Sequence, residues 1–387
     1  MNPIFADMPT TIFEAMSGAA RDLGAVNLGQ GFPDFGWPDD VIARAAEALV
    51  NGSNQYPPMR GLPELREAAA AHYRDHQGLE IDPSQVIVTS GATEALASSL
   101  LALIEPGDEV VLIQPLYDAY LPLVLRAGGV PRLVRLTPPD WRITEAALAE
   151  AFTDRTRLVV FNNPHNPTAR LFGADELALL AAAAERSGAL ILADEVWEHL
   201  FFGRASFPSI AGLPGMKERV VKVGSAGKIF SMTGWKVGWI VAPPALAEPI
   251  AKAHQFVTFT TPPNLQAGAA YGLGKEGGYF EAMRAGFAAP REAMLRKLEA
   301  AGYVALASEG TYFLCVDLTA SGIAMGDAEF CRRAVAEAGV AAIPLSAFYA
   351  EQPVTNVIRL CYAKKAETID AGIAALARAR SLFGSGD

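Results

Sequence analysis

Lys228 sits four residues beyond the apolar run VVKVG, inside Ser225-Ala226-Gly227-Lys228, where small neighbours imply close packing. Most lysines are solvated surface groups, but one held in a partly desolvated pocket loses its proton more readily and becomes a nucleophile toward aldehydes. No lysine precedes Lys217, and Lys236 in TGWKVGW follows Lys228 by eight residues. Two close cations favour a phosphate between them. Asp194-Glu195 directly follows the apolar run ALILA, at the end of a strand where open α/β sheets bind ligands. A helix cap would also account for an aspartate there, yet a buried carboxylate needs a partner. Asn162-Asn163-Pro164-His165-Asn166-Pro167 follows RLVVFN, and its amides suit ring hydroxyls or carboxylates as well as turn chemistry. Arg359 lies within the apolar VIRLCYA, where a guanidinium requires an anion, either a substrate carboxylate or a structural ion-pair partner. Thr89-Ser90-Gly91-Ala92-Thr93 closes another strand and opens a helix, a turn whose free N–H groups favour an anion, although any tight strand–helix turn reads similarly.

Together these groups match one reagent, an aromatic aldehyde that bears a phosphate, a ring nitrogen and a hydroxyl. That reagent is pyridoxal 5'-phosphate, and each element supplies a partner that the cofactor lacks.

The elements that must carry these residues alternate along the middle of the chain. Strand-like runs occupy 85–89, 109–113, 131–136, 157–162, 189–193, 219–224 and 237–242, apolar on both faces as strands covered by helices must be. Helical segments fall at 93–104, 119–126, 145–151 and 174–187. This rhythm predicts an α/β fold with a doubly wound, mostly parallel sheet of seven strands. Residues 219–242 hold two strands without a full helix between them and are expected to pair antiparallel. Beyond residue 280 the texture changes to helices at 280–301, 327–338 and 366–382, with strand-like segments at 310–318 and 357–361. The expected division is a large domain over 45–285 and a smaller α+β domain built from 1–44 and 286–387.

Composition sets outer bounds. The chain of 387 residues is 51% hydrophobic and 19% charged, which excludes a disordered chain. A net charge of −10 without a basic run argues against a nucleic-acid partner. No apolar stretch reaches the roughly 18–20 residues that span a bilayer. The start MNPIFADMPTT lacks the basic patch and apolar run of a signal peptide, so a cytoplasmic enzyme is expected. Three cysteines without CxxC spacing and five scattered histidines give neither a disulfide framework nor a zinc pattern.

The motifs NLGQGFPDF (27–35), NQYPPMRG (54–61), TSGATEAL (89–96), PLYDAY (115–120), NNPHNPT (162–168), ADEVWEH (193–199), SAGKIFSMTGWKVGW (225–239) and VIRLCYAK (357–364) run nearly the whole length of the chain. In this order they resemble the class I aminotransferases of pyridoxal-phosphate fold type I. Nearest is the kynurenine/glutamine-phenylpyruvate and methionine aminotransferase subgroup, with N-succinyldiaminopimelate aminotransferases close behind. The resemblance implies that Lys228 forms the internal aldimine, Asp194 pairs with the pyridine nitrogen and Asn166 donates to the ring hydroxyl. It places Tyr117 on the ring face and Gly91, Ala92, Thr93, Ser225 and Lys236 on the phosphate. Tyr56 would reach the phosphate of the neighbouring subunit, so a homodimer with shared sites is implied. Arg359 would grip the substrate α-carboxylate, assisted by Gly29 and Asn166.

Three departures stand out. Trp197 replaces the family's tyrosine three residues after the aspartate; its indole donates but cannot ionise or accept. Ala169 replaces the glycine of the usual NPTG. Thr260 stands where kynurenine-active relatives carry histidine, so kynurenine is not assigned. Phe13, Phe32, Trp37, Phe259 and Phe348 are expected around the pocket and favour aromatic or long apolar substrates, methionine included. A carbon–sulfur β-lyase on the same cofactor is the alternative, and a non-catalytic cofactor-binding regulator a distant third.

Overall fold

Thirteen short strands and the helices between them make up the computed structural model of the chain, which describes residues 2–6 and 8–384. In chain order the strands are β1 (Val26–Asn27), β2 (Val86–Thr89), β3 (Glu109–Gln114), β4 (Val130–Arg135), β5 (Thr156–Asn162), β6 (Leu190–Asp194) and β7 (Val220–Ser225). They continue with β8 (Gly238–Val241), β9 (Val304–Ala305), β10 (Phe313–Asp317), β11 (Val340–Ala341), β12 (Ile343–Pro344) and β13 (Val357–Cys361).

Seven of them form one sheet in the order β2-β8-β7-β6-β5-β3-β4. Neighbouring strands are parallel except at β8, which runs antiparallel to both β2 and β7. The expected antiparallel pair is therefore present, and the seven expected runs match the seven strands to within a residue or two. Every residue of β2, β3, β6, β7 and β8 is buried, as continuous apolar runs under helices on both faces require. β4 is the exception: it lies at the sheet edge, is partly exposed and carries Pro131, whose missing N–H an edge strand tolerates.

The covering helices follow local signals. Thr144 caps Glu145–Ala151 by accepting from the Ala147 N–H at 3.3 Å, and Gly188 in the left-handed region ends Ala174–Ser187. A second sheet, ordered β12-β13-β10-β9, is antiparallel throughout, while β1 pairs parallel with β11 and so ties residues 26–27 to residues 340–341. The helix expected at 280–301 begins earlier and spans Gly277–Ala300; the one expected at 327–338 is α-helical over Asp327–Arg333 and finishes as a π-turn over Ala334–Ala338.

One apolar core joins the two sheets, from Val111 and Leu192 to Val316 and Leu360. A separate cluster of Val88, Phe230, Trp239 and Phe280 packs at the β2–β8 edge. Among the described residues, no helix is long and apolar enough to cross a membrane. The ends of β2, β5, β6 and β7 set Thr89, Asn162, Asp194 and Ser225 along one rim of the large sheet, and β13 brings Arg359 within reach of Asn166.

Candidate active site

A cavity of about 200 Å³ opens at that rim, bounded by residues from the ends of β2, β5, β6 and β7 and from the turns that follow. Gly91, Ala92, Thr93, Tyr117, Asn166, Asp194, Trp197, Ser225, Lys228 and Lys236 all line it. Ten of the side chains and turns singled out in the sequence thus meet in one place, from positions up to 145 residues apart along the chain.

At one end is the start of helix Gly91–Leu103, whose first-turn N–H groups have no intrahelical partner. Gly91 adopts φ +76°, and a Cβ there would lie 3.2 Å from the Lys236 Nζ. The opposing Gly238 comes so near that a Cβ on it would fall 2.8 Å from the Gly91 carbonyl carbon. Glycine at both positions lets the helix start, Ser225 and the Lys236 ammonium share one small space. The helix N-terminus and the cation both favour an anion there.

Asp194 ends β6 on the opposite side. Its Oδ2 accepts a 2.6 Å hydrogen bond from the Tyr120 phenol, while its Oδ1 is buried with no hydrogen-bond partner. Burial raises its pKa, opposed by the Tyr120 phenol, the nearby Val196 N–H and the charge of Lys228. Asn162, paired with Asp194 across β5 and β6, donates from Nδ2 to the Asp194 backbone carbonyl at 2.7 Å. Its Oδ1 accepts from the Asn166 N–H at 2.7 Å, so one amide fixes both the aspartate strand and the loop that carries Asn166.

Lys228 Nζ lies 4.6 Å from the centroid of the Trp197 ring and donates to the Tyr312 hydroxyl at 3.3 Å. Burial lowers its pKa to about 8, with Asp194 opposing the shift and Arg359 adding to it. An amine with such a pKa is a far better nucleophile and base near neutrality than a surface lysine.

Arg359 is 1% exposed, and its Nη1 donates to Asn166 Oδ1 at 2.7 Å, its Nη2 to the Gly29 carbonyl at 3.2 Å. Its Nε has no partner. Phe313, Phe348 and Phe13 surround the guanidinium carbon at 3.9, 5.0 and 5.1 Å. Burial pushes its pKa down to about 10, so it stays cationic and lacks a full counter-charge.

Two groups fall elsewhere. Tyr56 lies outside the cavity, 80% exposed and edge-on to Phe259 at 5.2 Å. Phe32, Trp37 and Phe259 sit partly exposed, whereas Phe13 and Phe348 flank Arg359; none of the five lines this cavity. Sequence reasoning missed Tyr120 and Tyr312. For Tyr120 a signal existed: it follows Tyr117 by three residues, which puts both on one side of the helix start, with ring centroids 5.6 Å apart. Tyr312 has no comparable local cue, because its two partners come from distant segments.

An amine of lowered pKa, an unpartnered carboxylate, a helix start that favours an anion and a buried arginine are together the groups that amino-group chemistry uses. Residues 24–376 match the family described as aminotransferase class I and II. The chain is 40% identical to a probable N-succinyldiaminopimelate aminotransferase of Mycobacterium tuberculosis over 94% of each chain. It is also 40% identical to the methionine aminotransferase of Escherichia coli over 96% of each, and 34% identical to human kynurenine–oxoglutarate transaminase 1 over 91% of this chain and 92% of the relative. The solved structure of the mycobacterial N-succinyldiaminopimelate aminotransferase superposes with a TM-score of 0.94, covering 97% of this chain and 99% of that one. The chain belongs to the class I and II aminotransferases. It shares their fold type I architecture and catalyses transfer of an amino group between an amino acid and a 2-oxo acid.

Proposed function

We propose that the enzyme works with pyridoxal 5'-phosphate on L-amino acids with aromatic, methionine-like or long apolar side chains, one product leaving before the 2-oxo acid enters. The observation that carries this reading is the buried, unpartnered Oδ1 of Asp194 in the wall of a cavity that also holds the amine of Lys228. The donor set fits the cofactor: a carboxylate for a ring nitrogen, an amine for an aldehyde, and a helix start with a lysine for a phosphate.

Gly91, Ala92, Thr93, Ser225 and Lys236 would hold the phosphate, and Tyr117 would cover one face of the ring. Asn166 has its Oδ1 taken up by Arg359, which leaves Nδ2 to donate to the ring hydroxyl. When bound, the cofactor supplies an aldehyde for amine exchange and a protonated ring that spreads the charge left by loss of the α-proton. Asp194 would keep a proton on the ring nitrogen. Lys228 Nζ, with its pKa lowered to about 8, would take the α-proton as general base and return it as general acid. Arg359 binds the α-carboxylate, with Gly29 and Asn166 holding the guanidinium in place.

The apolar rings around Arg359, together with relatives named for methionine and kynurenine, support the substrate class. The exposed Tyr56 supports a homodimer in which it reaches the partner's phosphate. The reading includes a cytoplasmic location and the division into residues 45–285 and residues 1–44 with 286–387; the division is supported by the seven-stranded sheet falling within the first and the four- and two-stranded sheets within the second.

A screen of amino acids against 2-oxoglutarate and pyruvate, following the new 2-oxo acid, tests the substrate class. Turnover of aromatic amino acids or methionine is expected. Protein that stays colourless after addition of the cofactor would sink the reading, and pyruvate released from cysteine conjugates without an amino acceptor would favour the β-lyase instead.

A further inference from the structure

Lys228 has one side-chain hydrogen bond among the described residues, to the Tyr312 hydroxyl at 3.3 Å. Trp197, the other side chain against the amine, offers only the face of its ring at 4.6 Å, which attracts a cation but accepts no hydrogen bond in the plane. The Tyr312 proton is already committed, since its hydroxyl donates to the Gly31 carbonyl at 2.6 Å. Its oxygen therefore faces Lys228 as an acceptor. Burial pushes the phenol's pKa well above 10, so it stays protonated and the donor–acceptor order is fixed.

The ring itself has little freedom. Tyr312 is fully buried, edge-on to Trp197 at 4.4 Å and to Phe313 at 5.0 Å, and its backbone carbonyl accepts from the Tyr362 N–H at 3.0 Å. It connects three segments that are far apart in sequence: the turn after β7 with Lys228, the loop after β1 with Gly31, and β10.

We propose that Tyr312 is a positioning residue for transamination, its hydroxyl holding the Lys228 amine in place and coupling it to the Gly31 loop. The role rests on the reading of Lys228 as the catalytic amine. With the acceptor in place, the amine has a defined resting direction between proton transfers, a function that the indole of Trp197 cannot perform.

The hydroxyl also favours the ammonium form, since it accepts from the charged donor. The other groups that set the charge on Lys228 are Asp194 on β6, Arg359 and Cys361 on β13, and Lys236. All four remain in Tyr312→Phe, so the comparison isolates the hydroxyl. Competitive acetylation of the cofactor-free protein across pH, read at Lys228 by mass spectrometry, is the direct test. In Tyr312→Phe the labelling midpoint should fall by roughly one pH unit. Fluorotyrosine at 312 keeps the shape with a weaker acceptor and should give an intermediate midpoint. It also covers the case in which the phenylalanine variant folds poorly. In the reconstituted enzyme, kcat should fall roughly ten- to a hundredfold with KM for the amino acid changed less than about twofold. Coincident labelling curves, or a midpoint that rises, would overturn the proposal. Lys228→Ala separates the two ideas: if that variant still gives the bound-cofactor absorbance and turns over, the reading of Lys228 itself fails, whatever Tyr312 does.

Discussion

Tyr120 and Asp194 share a 2.6 Å hydrogen bond in which the phenol donates to Oδ2, leaving Oδ1 buried and unbonded. One oxygen is anchored to the protein and the other is left without a partner. The bond lowers the carboxyl pKa, against the upward push of burial that prevails at Asp194. Asp194→Ala should lower kcat by roughly 10²–10³-fold and weaken cofactor retention. Tyr120→Phe removes only the anchor and should cost about tenfold or less. Steady-state kinetics with a cofactor titration check the ordering, and equal losses in the two variants would mean that Tyr120 has a role of its own.

Arg359 combines an unpartnered Nε with a ring of phenylalanines and two hydrogen bonds that fix its plane. A lysine at 359 would keep the charge but lose the planar fork that meets a carboxylate through two bonds. Arg359→Lys should therefore raise KM for the amino acid roughly tenfold or more, while the bound cofactor's absorbance is unchanged. A Kd for the amino acid equal to that of the unmodified enzyme would place the carboxylate clamp elsewhere.

Ala169 adopts φ +61° while fully buried, in the loop after Asn166-Pro167 where the family's usual residue is glycine. Its N–H donates to the His165 carbonyl, and its own carbonyl accepts from the Glu309 and Gly310 N–H groups at 2.8 and 2.9 Å, so the backbone holds this conformation against the side chain's preference. An L-residue with a Cβ pays about 1–2 kcal/mol in the left-handed region, partly offset by its smaller entropy loss on folding. Ala169→Gly should leave turnover intact and raise stability by about 1 kcal/mol or less. Denaturant midpoints at constant slope provide the measure.

The large sheet was legible because its strands are buried on both faces, so each reads as an unbroken apolar run such as Val86–Thr89 or Leu190–Asp194. The antiparallel β8 was legible from the short stretch between Ser225 and Gly238, too brief for a crossover helix. Lys228, Asp194 and Arg359 each place a charged group in or directly after an apolar run, and that mismatch is visible in sequence, whereas Asn166 showed only as one amide of a proline-fixed loop. Tyr312 was not, because a buried tyrosine within TYFLCVD looks like core until its hydroxyl is seen to meet Gly31 and Lys228, which are 281 and 84 residues away.

The last prediction concerns the cost of burying Lys228. Its pKa is about 8 in the folded protein against 10.5 for an ordinary lysine, with burial as the main cause. Below pH 8 the amine is charged in both states, and the folded protein bears the penalty of holding that charge in a partly exposed site, below about 3.4 kcal/mol. Between pH 8 and 10.5 the folded state has released the proton while the unfolded chain still binds it, so stability from this group rises with pH. Lys228→Met removes the titration. In cofactor-free protein the variant should be the more stable of the two at pH 7, and its advantage should shrink as pH passes from 8 toward 10.5. Urea unfolding of both proteins across that range checks the sign. An advantage that is constant with pH would mean that Lys228 keeps an ordinary pKa, and with it would go the argument that burial readies this amine for proton transfer.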